Sequence, residues 1–363
     1  MSEIKRLAKP VPPGGVIGII GGGQLGRMLA MAAARLGLNA AIYNDAQNAP
    51  AFQVTPLQIA AGYDERNMLT GFAEICDAIT FEFENLPSES IAYLAGLKPL
   101  HPGQHALETT QDRLTEKNFV RSLGLKTAPF APVSSKDDAV LAFEKLGGPA
   151  ILKTRRLGYD GKGQAKVTSA DEAVRAFESF KNAPAILEGF VDFAFEASVV
   201  AARALDGTFA AYDPPENIHE HHILRRSIVP GRLSKAQSDE AKAIARKIAE
   251  ALDYVGVLAV ELFVGKGGAL VVNEIAPRVH NSGHWTIEAC ACSQFEQHIR
   301  AVAGWPLGDP TRHADAVMEN IIGAEADAWE SLARSGALHL YGKREARPGR
   351  KMGHLTRLKP LTK

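Results

Sequence analysis

The first 45 residues constrain the fold most strongly, because they predict a strand, a glycine-rich turn, a helix and a second strand in succession. An apolar run at 16–20 leads into the glycine-rich turn at 21–26. The alanine-rich segment 27–36 predicts a helix that ends at Gly37, and 40–43 predicts the next strand. Two strands joined through a helix in this way pair in parallel. The chain therefore begins with an α/β domain.

The glycine-rich turn has the spacing of a dinucleotide-binding loop. Gly21, Gly23 and Gly26 follow a strand and open a helix, and Asp45 lies where a nicotinamide enzyme has its ribose-binding carboxylate. The backbone N–H groups at a helix N-terminus, however, bind any phosphate or carboxylate. Three interpretations stay open at this point: a nicotinamide dehydrogenase, a loop for another anion or substrate, and a purely structural turn.

The rest of the chain predicts a larger second domain of mixed α+β type. A strand at 75–83 ends in Glu82 and Glu84, and a polar helix at 109–123 precedes the turn-rich segment 124–132. Further strands are predicted at 150–153, 185–190 and 195–202, and further helices at 170–180 and 239–252. Strands alternate with helices but also form hairpins, which is typical of an α+β domain.

The segment 257–278 predicts a hairpin with two opposed carboxylates. If 267–268 form a two-residue loop, Lys266 pairs with Ala269, and Glu261 then lies opposite Glu274. Like charges opposed in apolar surroundings destabilise a hairpin. A Mg²⁺ ion that both carboxylates share with substrate phosphates would remove this conflict. The alternative is a register shifted by one residue, which would turn one glutamate to solvent.

A lysine and a glycine-rich loop upstream predict phosphate binding. Lys153 ends a predicted strand, and the loop 158–164 contains three glycines that allow its backbone to approach phosphate oxygens. Such a loop alone is equally typical of a mobile hairpin. Together with the carboxylate hairpin it indicates a magnesium–nucleotide site, although the sequence is not that of a Walker loop.

Composition indicates a small-molecule partner. The 363 residues include 41 basic and 41 acidic side chains, and this balance argues against a dedicated binder of nucleic acid or of an anionic membrane. Three cysteines, Cys76, Cys290 and Cys292, are too few for a disulfide framework. The first 13 residues lack a signal-peptide core and no apolar run reaches the length of a membrane span, so we expect a cytoplasmic protein.

Two further segments carry unusual charge or histidine content. From 343 to 363 there are eight basic residues and one acidic residue, so this tail is either a phosphate-binding segment or a solvated surface. The histidines in 219–222 suggest a metal site at first sight. Consecutive side chains point in different directions, however, and we do not expect a metal there.

Five motifs give the chain a resemblance to a known family. They are 23–28 (GQLGRM), 112–114 (DRL), 158–164 (GYDGKGQ), 273–285 (NEIAPRVHNSGHW) and 347–354 (RPGRKMGH). With these motifs the chain resembles the ATP-grasp enzymes, and within them the N5-carboxyaminoimidazole ribonucleotide synthetases of purine biosynthesis. The resemblance covers nearly the whole chain.

The resemblance implies an ATP-grasp architecture with a Rossmann-like pre-ATP-grasp domain. It implies that this domain spans 1–110, that the ATP-grasp domain spans 111–305 with a lid subdomain at about 150–190, and that a small substrate-phosphate-binding domain spans 306–363. The chain stops soon after 353–354, so we expect this last domain to be minimal.

The resemblance also implies roles for individual residues. The ATP-binding residues would be Arg113, Lys153, Gly158, Tyr159, Asp160, Gly161, Lys162, Gly163, Gln164, Glu188, Gly189, Phe190, Val191, Glu196, His219, Asn273 and Glu274. The magnesium ligands would be Glu261 and Glu274. Arg278, His280 and Lys153 would be catalytic, and Arg278 and His280 would position bicarbonate or carboxyphosphate. Tyr159, Asp160, Lys343 and Arg350 would contact the aminoimidazole ribonucleotide, while it stays open whether Glu82 or Glu84 does so.

The implied reaction is an ATP- and bicarbonate-dependent carboxylation of 5-aminoimidazole ribonucleotide through carboxyphosphate, by a homodimer. The implied partners are thus ATP, Mg²⁺, bicarbonate and this nucleotide. The alternatives are a formate-dependent glycinamide ribonucleotide transformylase, a biotin carboxylase, the nicotinamide dehydrogenase of the first loop, and a catalytically silent nucleotide-binding regulator.

Overall fold

The structure is a computed structural model, which describes residues 5–158 and 162–362. The helices are α1 Gln24–Arg35, α2 Arg66–Glu74, α3 Ser88–Leu97, α4 Gln104–Gln111, α5 Arg113–Ser122, α6 Lys136–Leu146, α7 Ala170–Ser179, α8 Lys235–Ala251, α9 Thr286–Ala289, α10 Gln294–Val302 and α11 Trp329–Ala333. Short 3-10 helices cover Pro50–Val54, Asn281–Gly283 and Gly323–Ala328.

The strands of the described residues form three sheets. They are β1 Val16–Ile20, β2 Asn39–Asn44, β3 Leu57–Ala60, β4 Ala78–Phe81, β5 Phe130–Val133, β6 Ala150–Thr154, β7 Gln164–Val167, β8 Ala185–Gly189, β9 Phe193–Arg203, β10 Phe209–Ala211, β11 Glu216–Glu220, β12 Ile223–Val229, β13 Gly256–Gly265, β14 Leu270–Ala276, β15 Asp315–Ile322, β16 Ala337–Leu340 and β17 Lys351–Lys359.

The first sheet is parallel, with strand order β3-β2-β1-β4, and confirms the predicted α/β opening. Gly21, at a φ of +103°, turns the chain from β1 towards α1, a conformation that glycine adopts without strain. The strand predicted at 75–83 is shorter in the structure. Residues 75–77 instead close helix α2, because the N–H of Cys76 donates to the carbonyl of Ala73.

The largest sheet is antiparallel and has the strand order β14-β13-β9-β11-β12-β15-β17-β16, with β10 paired to β9. Helix α8 packs its apolar side, including Ile244 and Ile248, against this sheet. The helix begins at Lys235 rather than at 239, because Ser234 and Gln237 form a capping box at its N-terminus.

A small antiparallel sheet, β5-β8-β6-β7, is covered by α6 and α7. Three of its strands, β6, β7 and β8, lie within the range 150–190 that was predicted as a lid subdomain. The C-terminal strands β15, β16 and β17 do not form a sheet of their own but extend the largest sheet. The fold thus combines α/β and α+β parts, as predicted, while the predicted domain boundaries remain predictions.

The carboxylate hairpin has the predicted pairing of Glu261 with Glu274, but reaches it differently. Gly268 adopts a φ of +84°, and the N–H of Gly265 donates to the carbonyl of Ala269, so the loop has three residues and the predicted pairing of Lys266 with Ala269 is wrong. A bulge at Asn273 then shifts the register back by one residue. The two carboxylates therefore lie opposite each other because two deviations from the predicted hairpin cancel.

The polar helix predicted at 109–123 is two helices, α4 and α5, that meet at Asp112. Asp112 is extended and its carboxylate accepts from the N–H groups of Leu114 and Thr115, so it caps α5. This cap directs Arg113, at the start of α5, towards the large sheet.

Within the described ranges, no helix has the combination of length and apolar character that crossing a membrane requires.

Candidate active site

A cavity of about 880 Å³ lies where the three sheets meet. Many of the residues predicted as site residues line it: Arg113, Lys153, Gly158, Lys162, Gly163, Gln164, Glu188, Gly189, Phe190, Val191, Glu196, His219, Glu261, Asn273, Glu274, Arg278 and His280. Tyr159, Asp160 and Gly161, which were also predicted, lie outside the described residues. Residues far apart in the sequence are thus brought to one cavity, while their ligand-binding roles remain predictions.

One wall of the cavity carries a buried carboxylate between two lysines. Glu188 on β8 is 3% exposed, and its Oε2 lies 3.0 Å from Lys153 Nζ on β6 and 3.5 Å from Lys117 Nζ on α5. Burial opposes ionisation, but the two ammonium groups outweigh it and lower the pKa of Glu188 to about 2. Its other oxygen, Oε1, has no hydrogen-bond partner within the described part of the chain.

One of the paired carboxylates, Glu274, is bound by an arginine. Arg113 donates to Glu274 at 2.9 Å and to the carbonyl of Gly158 at 3.2 Å, so it links the hairpin to the start of the glycine-rich loop. Burial would lower the pKa of Arg113, but Glu274 raises it, and the guanidinium stays charged. A cation and the first residue of the glycine-rich loop, Gly158, therefore lie next to the predicted magnesium ligand.

Glu116 and Lys117, which neighbour Arg113 on α5, are buried beneath these groups. Glu116 accepts from the N–H of Ile275 at 2.5 Å, and Lys117 donates to the carbonyl of Asn273 at 2.6 Å. The two bonds hold the backbone of β14 on either side of Glu274. Burial and then the charge of Glu274 raise the pKa of Glu116 to about 8.

The second of the paired carboxylates contacts a histidine. Glu261 Oε1 lies 3.2 Å from His280 Nε2. Burial would raise the pKa of Glu261, but His280 lowers it to about 2, so this carboxylate is charged. The pair fits a divalent cation, because two opposed carboxylates line the cavity. Asn273, next to Glu274, also lines it and has a buried Oδ1 without a hydrogen-bond partner among the described residues.

Arg278 is paired with a carboxylate of the chain itself. Its guanidinium donates to both oxygens of Glu84, at 2.5 and 3.1 Å. Burial would lower the pKa of Arg278 but Glu84 raises it, and in turn burial would raise the pKa of Glu84 but Arg278 lowers it. An anion that binds Arg278 must therefore share it with Glu84 or displace Glu84.

The glycine-rich turn before α1 binds a carboxylate of its own chain. Glu82, at the end of β4, accepts from the backbone N–H of Gly23 and, at 2.8 Å, from that of Gly26. A Cβ on Gly23 would lie 2.5 Å from the Glu82 carboxylate, so a side chain at this position would displace that carboxylate. The donors that would hold a dinucleotide phosphate are thus used internally, which argues against the nicotinamide interpretation. The predicted ribose ligand of that interpretation, Asp45, is exposed.

An aromatic pair and a histidine–carboxylate pair form the remaining side of the cavity. The rings of Phe193 and Phe263 stack at 4.7 Å, beside the exposed Phe190. His219 Nδ1 lies 2.7 Å from Glu196 Oε2, and although burial would lower the pKa of His219, Glu196 raises it. A flat apolar surface next to hydrogen-bonding groups suits a nucleoside.

Two predicted substrate residues do not line the cavity. Lys343 donates to the carbonyl of Lys351 at 2.7 Å, and Arg350 donates to the carbonyl of Glu345 at 3.0 Å. Lys351 itself, which was not predicted, lines the cavity. The basic tail thus lies at the margin of the cavity, with a different residue facing inward.

The sequence analysis missed Glu116, Lys117, Phe263 and Lys351. Lys117 follows Arg113 by four residues, a spacing that places both on one side of a helix and that would have indicated a shared site. Phe263 follows Glu261 by two residues, and alternate strand residues share a face. Lys351 belongs to the motif at 347–354 but carries no separate signal.

Family models match three successive segments of the chain. Family models match at 15–111 for the ribonucleotide synthetase preATP-grasp domain, at 118–295 for the ATP-grasp domain, and at 316–361 for the phosphoribosylaminoimidazole carboxylase C-terminal domain. The chain is 53% identical to the N5-carboxyaminoimidazole ribonucleotide synthase of Brucella melitensis, over 96% of this chain and 98% of that protein.

Solved structures are similar over almost the whole length. The ADP complex of an N5-carboxyaminoimidazole ribonucleotide synthetase has a TM-score of 0.93 and 41% identity, and covers 97% of this chain and 94% of that one. The Aspergillus clavatus N5-carboxyaminoimidazole synthase in complex with ADP and 5-aminoimidazole ribonucleotide has a TM-score of 0.90 and 31% identity, with 96% and 94% covered.

The raised pKa of Glu116 predicts how stability responds to pH. The folded protein retains this proton up to about pH 8, whereas the unfolded chain releases it near the ordinary glutamate pKa of about 4.3. The stabilising contribution is therefore complete below that value and is lost as pH rises towards 8. Glu116→Gln stays neutral and keeps an oxygen acceptor for Ile275, so its melting temperature relative to the wild type should be higher at pH 8 than at pH 5.

Thermal unfolding without nucleotide at the two pH values measures this difference. Glu144→Gln, at an exposed position on α6, is the matched control and should shift the melting temperature equally at both. An equal shift for Glu116→Gln at pH 5 and pH 8 would contradict the raised pKa.

Proposed function

The chain belongs to the N5-carboxyaminoimidazole ribonucleotide synthetase family of ATP-grasp enzymes, and from that premise we propose how its own residues carboxylate 5-aminoimidazole ribonucleotide. A bicarbonate oxygen attacks the γ-phosphorus of ATP, the bond to ADP breaks, and carboxyphosphate forms. The exocyclic amine of the nucleotide then attacks the carboxyl carbon, directly or after release of CO₂, and loses a proton as phosphate leaves. The observation that carries this proposal is the meeting of Glu261, Glu274, Arg113, Lys153 and Arg278 in one cavity.

In this proposal Lys153 and Arg113 bind the ATP phosphates. Lys153 is held in place by Glu188 and Arg113 by Glu274. Nucleotide binding therefore does not have to pay the entropy of ordering these two side chains. Fixed positive charges next to the transferring phosphoryl group stabilise its transition state. The glycine-rich loop, whose first carbonyl contacts Arg113, covers the phosphates and excludes water from the labile carboxyphosphate.

The residues that would hold Mg²⁺ are Glu261 and Glu274, with the phosphate oxygens of ATP completing its oxygen ligands. A bound magnesium ion would offset the charge of the β- and γ-phosphates. Among the described residues, groups of three or more histidine, cysteine, aspartate or glutamate side chains with the geometry of a metal site are absent. A two-carboxylate site that relies on substrate phosphates is consistent with this.

Arg278 and His280 position the bicarbonate. Bicarbonate is an anion that ATP repels, and a buried guanidinium provides the opposing charge. Arg278 forms an ion pair with Glu84. This pair orients the guanidinium and compensates its charge until bicarbonate binds.

Recognition of the aminoimidazole nucleotide is assigned to Tyr159, Asp160, Lys343 and Arg350, with its phosphate on the basic tail. Lys351, which lines the cavity and neighbours Arg350, is a further phosphate ligand in this proposal. We extend the proposal to a homodimer located in the cytoplasm.

ADP formation tests the proposed reaction. With the aminoimidazole nucleotide, ADP should form only when bicarbonate is present, and formate or added biotin should not replace bicarbonate. The assay without the nucleotide shows the uncoupled rate. Turnover of ATP that ignores both bicarbonate and the nucleotide would contradict the proposal, and turnover with formate would favour a transformylase.

Glu274→Gln tests the two-carboxylate magnesium site. The substitution keeps the side-chain shape but removes the negative charge that binds Mg²⁺, so we expect magnesium-dependent ADP formation to fall by about 100-fold or more. The Arg113 guanidinium can still donate to the amide oxygen although the ion pair is lost, and circular dichroism should show a folded protein.

Glu240→Gln, at an exposed position on α8, is the matched control and should keep its dependence on magnesium. Unchanged activity of Glu274→Gln across a magnesium titration would show that the hairpin does not hold the metal.

A further inference from the structure

A chain of buried polar side chains runs from the large sheet to His280. Ser227 on β12 lies 2.8 Å from Asn217 on β11, which lies 2.9 Å from Ser198 on β9. Ser198 in turn lies 2.7 Å from Ser282, whose hydroxyl is 2.9 Å from His280 Nδ1. The two serines on the strands and Ser282 are 0% exposed and Asn217 is 5% exposed. We call these four residues the serine–asparagine relay.

Each hydrogen bond of the relay donates towards His280. The Ser227 hydroxyl donates to Asn217 Oδ1, and Asn217 Nδ2 donates to the Ser198 hydroxyl. A hydroxyl has one proton, so Ser198, which accepts from Asn217, donates to Ser282. Ser282 accepts from Ser198 and is left with its own proton for His280 Nδ1.

Two further contacts of His280 also indicate that its Nδ1 accepts a hydrogen bond and its Nε2 donates one. The backbone N–H of Ser282 also points at His280 Nδ1, at 3.4 Å, and a backbone N–H can only donate. The other ring nitrogen, Nε2, lies 3.2 Å from the Glu261 carboxylate, which can only accept when ionised. We propose that the serine–asparagine relay fixes His280 as the Nε2–H tautomer, so that it acts as a hydrogen-bond donor to Glu261 and not as a base through Nδ1.

Packing alone does not account for the relay. Burying four polar side chains under a sheet costs free energy unless every group is paired, and apolar residues would fill the same strand positions without that requirement. The hydroxyl groups of the relay pair with one another in series, and the series ends at the cavity. The arrangement matches the way in which metal-site side chains are oriented by the groups behind them.

The role of the relay in catalysis rests on the proposed function. The assignment of the His280 tautomer rests only on the hydrogen bonds described above. With Nδ1 occupied by Ser282, a neutral His280 holds one proton on Nε2 and directs it at Glu261. This orients the carboxylate that is assigned to magnesium and leaves the imidazole unable to take a proton from bicarbonate through Nδ1. Ser198, Asn217, Ser227 and Ser282 are then positioning residues, which act through His280.

Nitrogen-15 NMR of the histidine rings in the ligand-free protein tests the tautomer. The chain has 11 histidines, and the His280 signals are those that disappear in His280→Gln. At a pH high enough for the ring to carry a single proton, we expect that proton on Nε2 and none on Nδ1. A single proton on Nδ1 in the wild type would overturn the proposal, and this result is independent of whether the enzyme turns over.

Ser198→Ala tests whether the relay sets the tautomer. Without the hydroxyl of Ser198, the Ser282 oxygen is free to accept from Nδ1–H, so we expect His280 to show a mixture of tautomers and kcat to fall about tenfold. Ser227→Ala, at the far end, should change both readouts in the same direction but less.

Tyr43→Phe is the matched control, because it removes one buried hydroxyl, bonded to the carbonyl of Gly62, from the first sheet. It should lower the melting temperature without changing the His280 signals or kcat. If Ser198→Ala behaves like this control, the relay has only a structural role and the proposal is wrong. If Ser198→Ala does not fold, the Ser227→Ala spectrum decides, and unchanged ring signals there overturn the proposal.

Discussion

The opposition of two like charges across one hairpin determines the arrangement of the site. Glu261 and Glu274 lie opposite each other on β13 and β14, and each needs a partner of its own. Arg113 from α5 forms an ion pair with Glu274, and His280 from the loop after β14 lies within hydrogen-bond distance of Glu261. The position of α5, the path of the loop after β14 and the link to the glycine-rich loop all follow from these two contacts.

Pairing of charged groups within the chain extends over the whole cavity. Charged side chains that line it are neutralised by other groups of the chain. Glu188 lies between Lys153 and Lys117, Glu84 pairs with Arg278, and Glu82 occupies the N–H groups before α1. Breaking one partner of such a pair costs far more than the pair contributes to stability. Substrate binding in this account is an exchange of counterions, in which phosphates, bicarbonate and magnesium take the place of internal partners.

The sequence was sufficient to predict the parallel first sheet, the placing of Lys153 and the glycine-rich loop at one site, and the opposed carboxylates, because these depend on local patterns. The pairing of Glu261 with Glu274 was right for an incomplete reason, since the loop has one residue more than predicted and the bulge at Asn273 compensates for it. The contacts of Lys117 with Glu188 and Asn273, and the serine–asparagine relay, could not be predicted, because the residues that meet are distant in sequence. Glu82 likewise shows that a motif which fits a dinucleotide loop can bind a carboxylate 59 residues away.

The central claim is that this cavity transfers a phosphoryl group from ATP to bicarbonate. The most direct measurement uses bicarbonate labelled with oxygen-18 and follows the label into inorganic phosphate by mass spectrometry, with the aminoimidazole nucleotide present. Attack of a bicarbonate oxygen on the γ-phosphorus requires one labelled oxygen in each phosphate released. Phosphate without label, while ATP is consumed and the nucleotide is carboxylated, would contradict the claim.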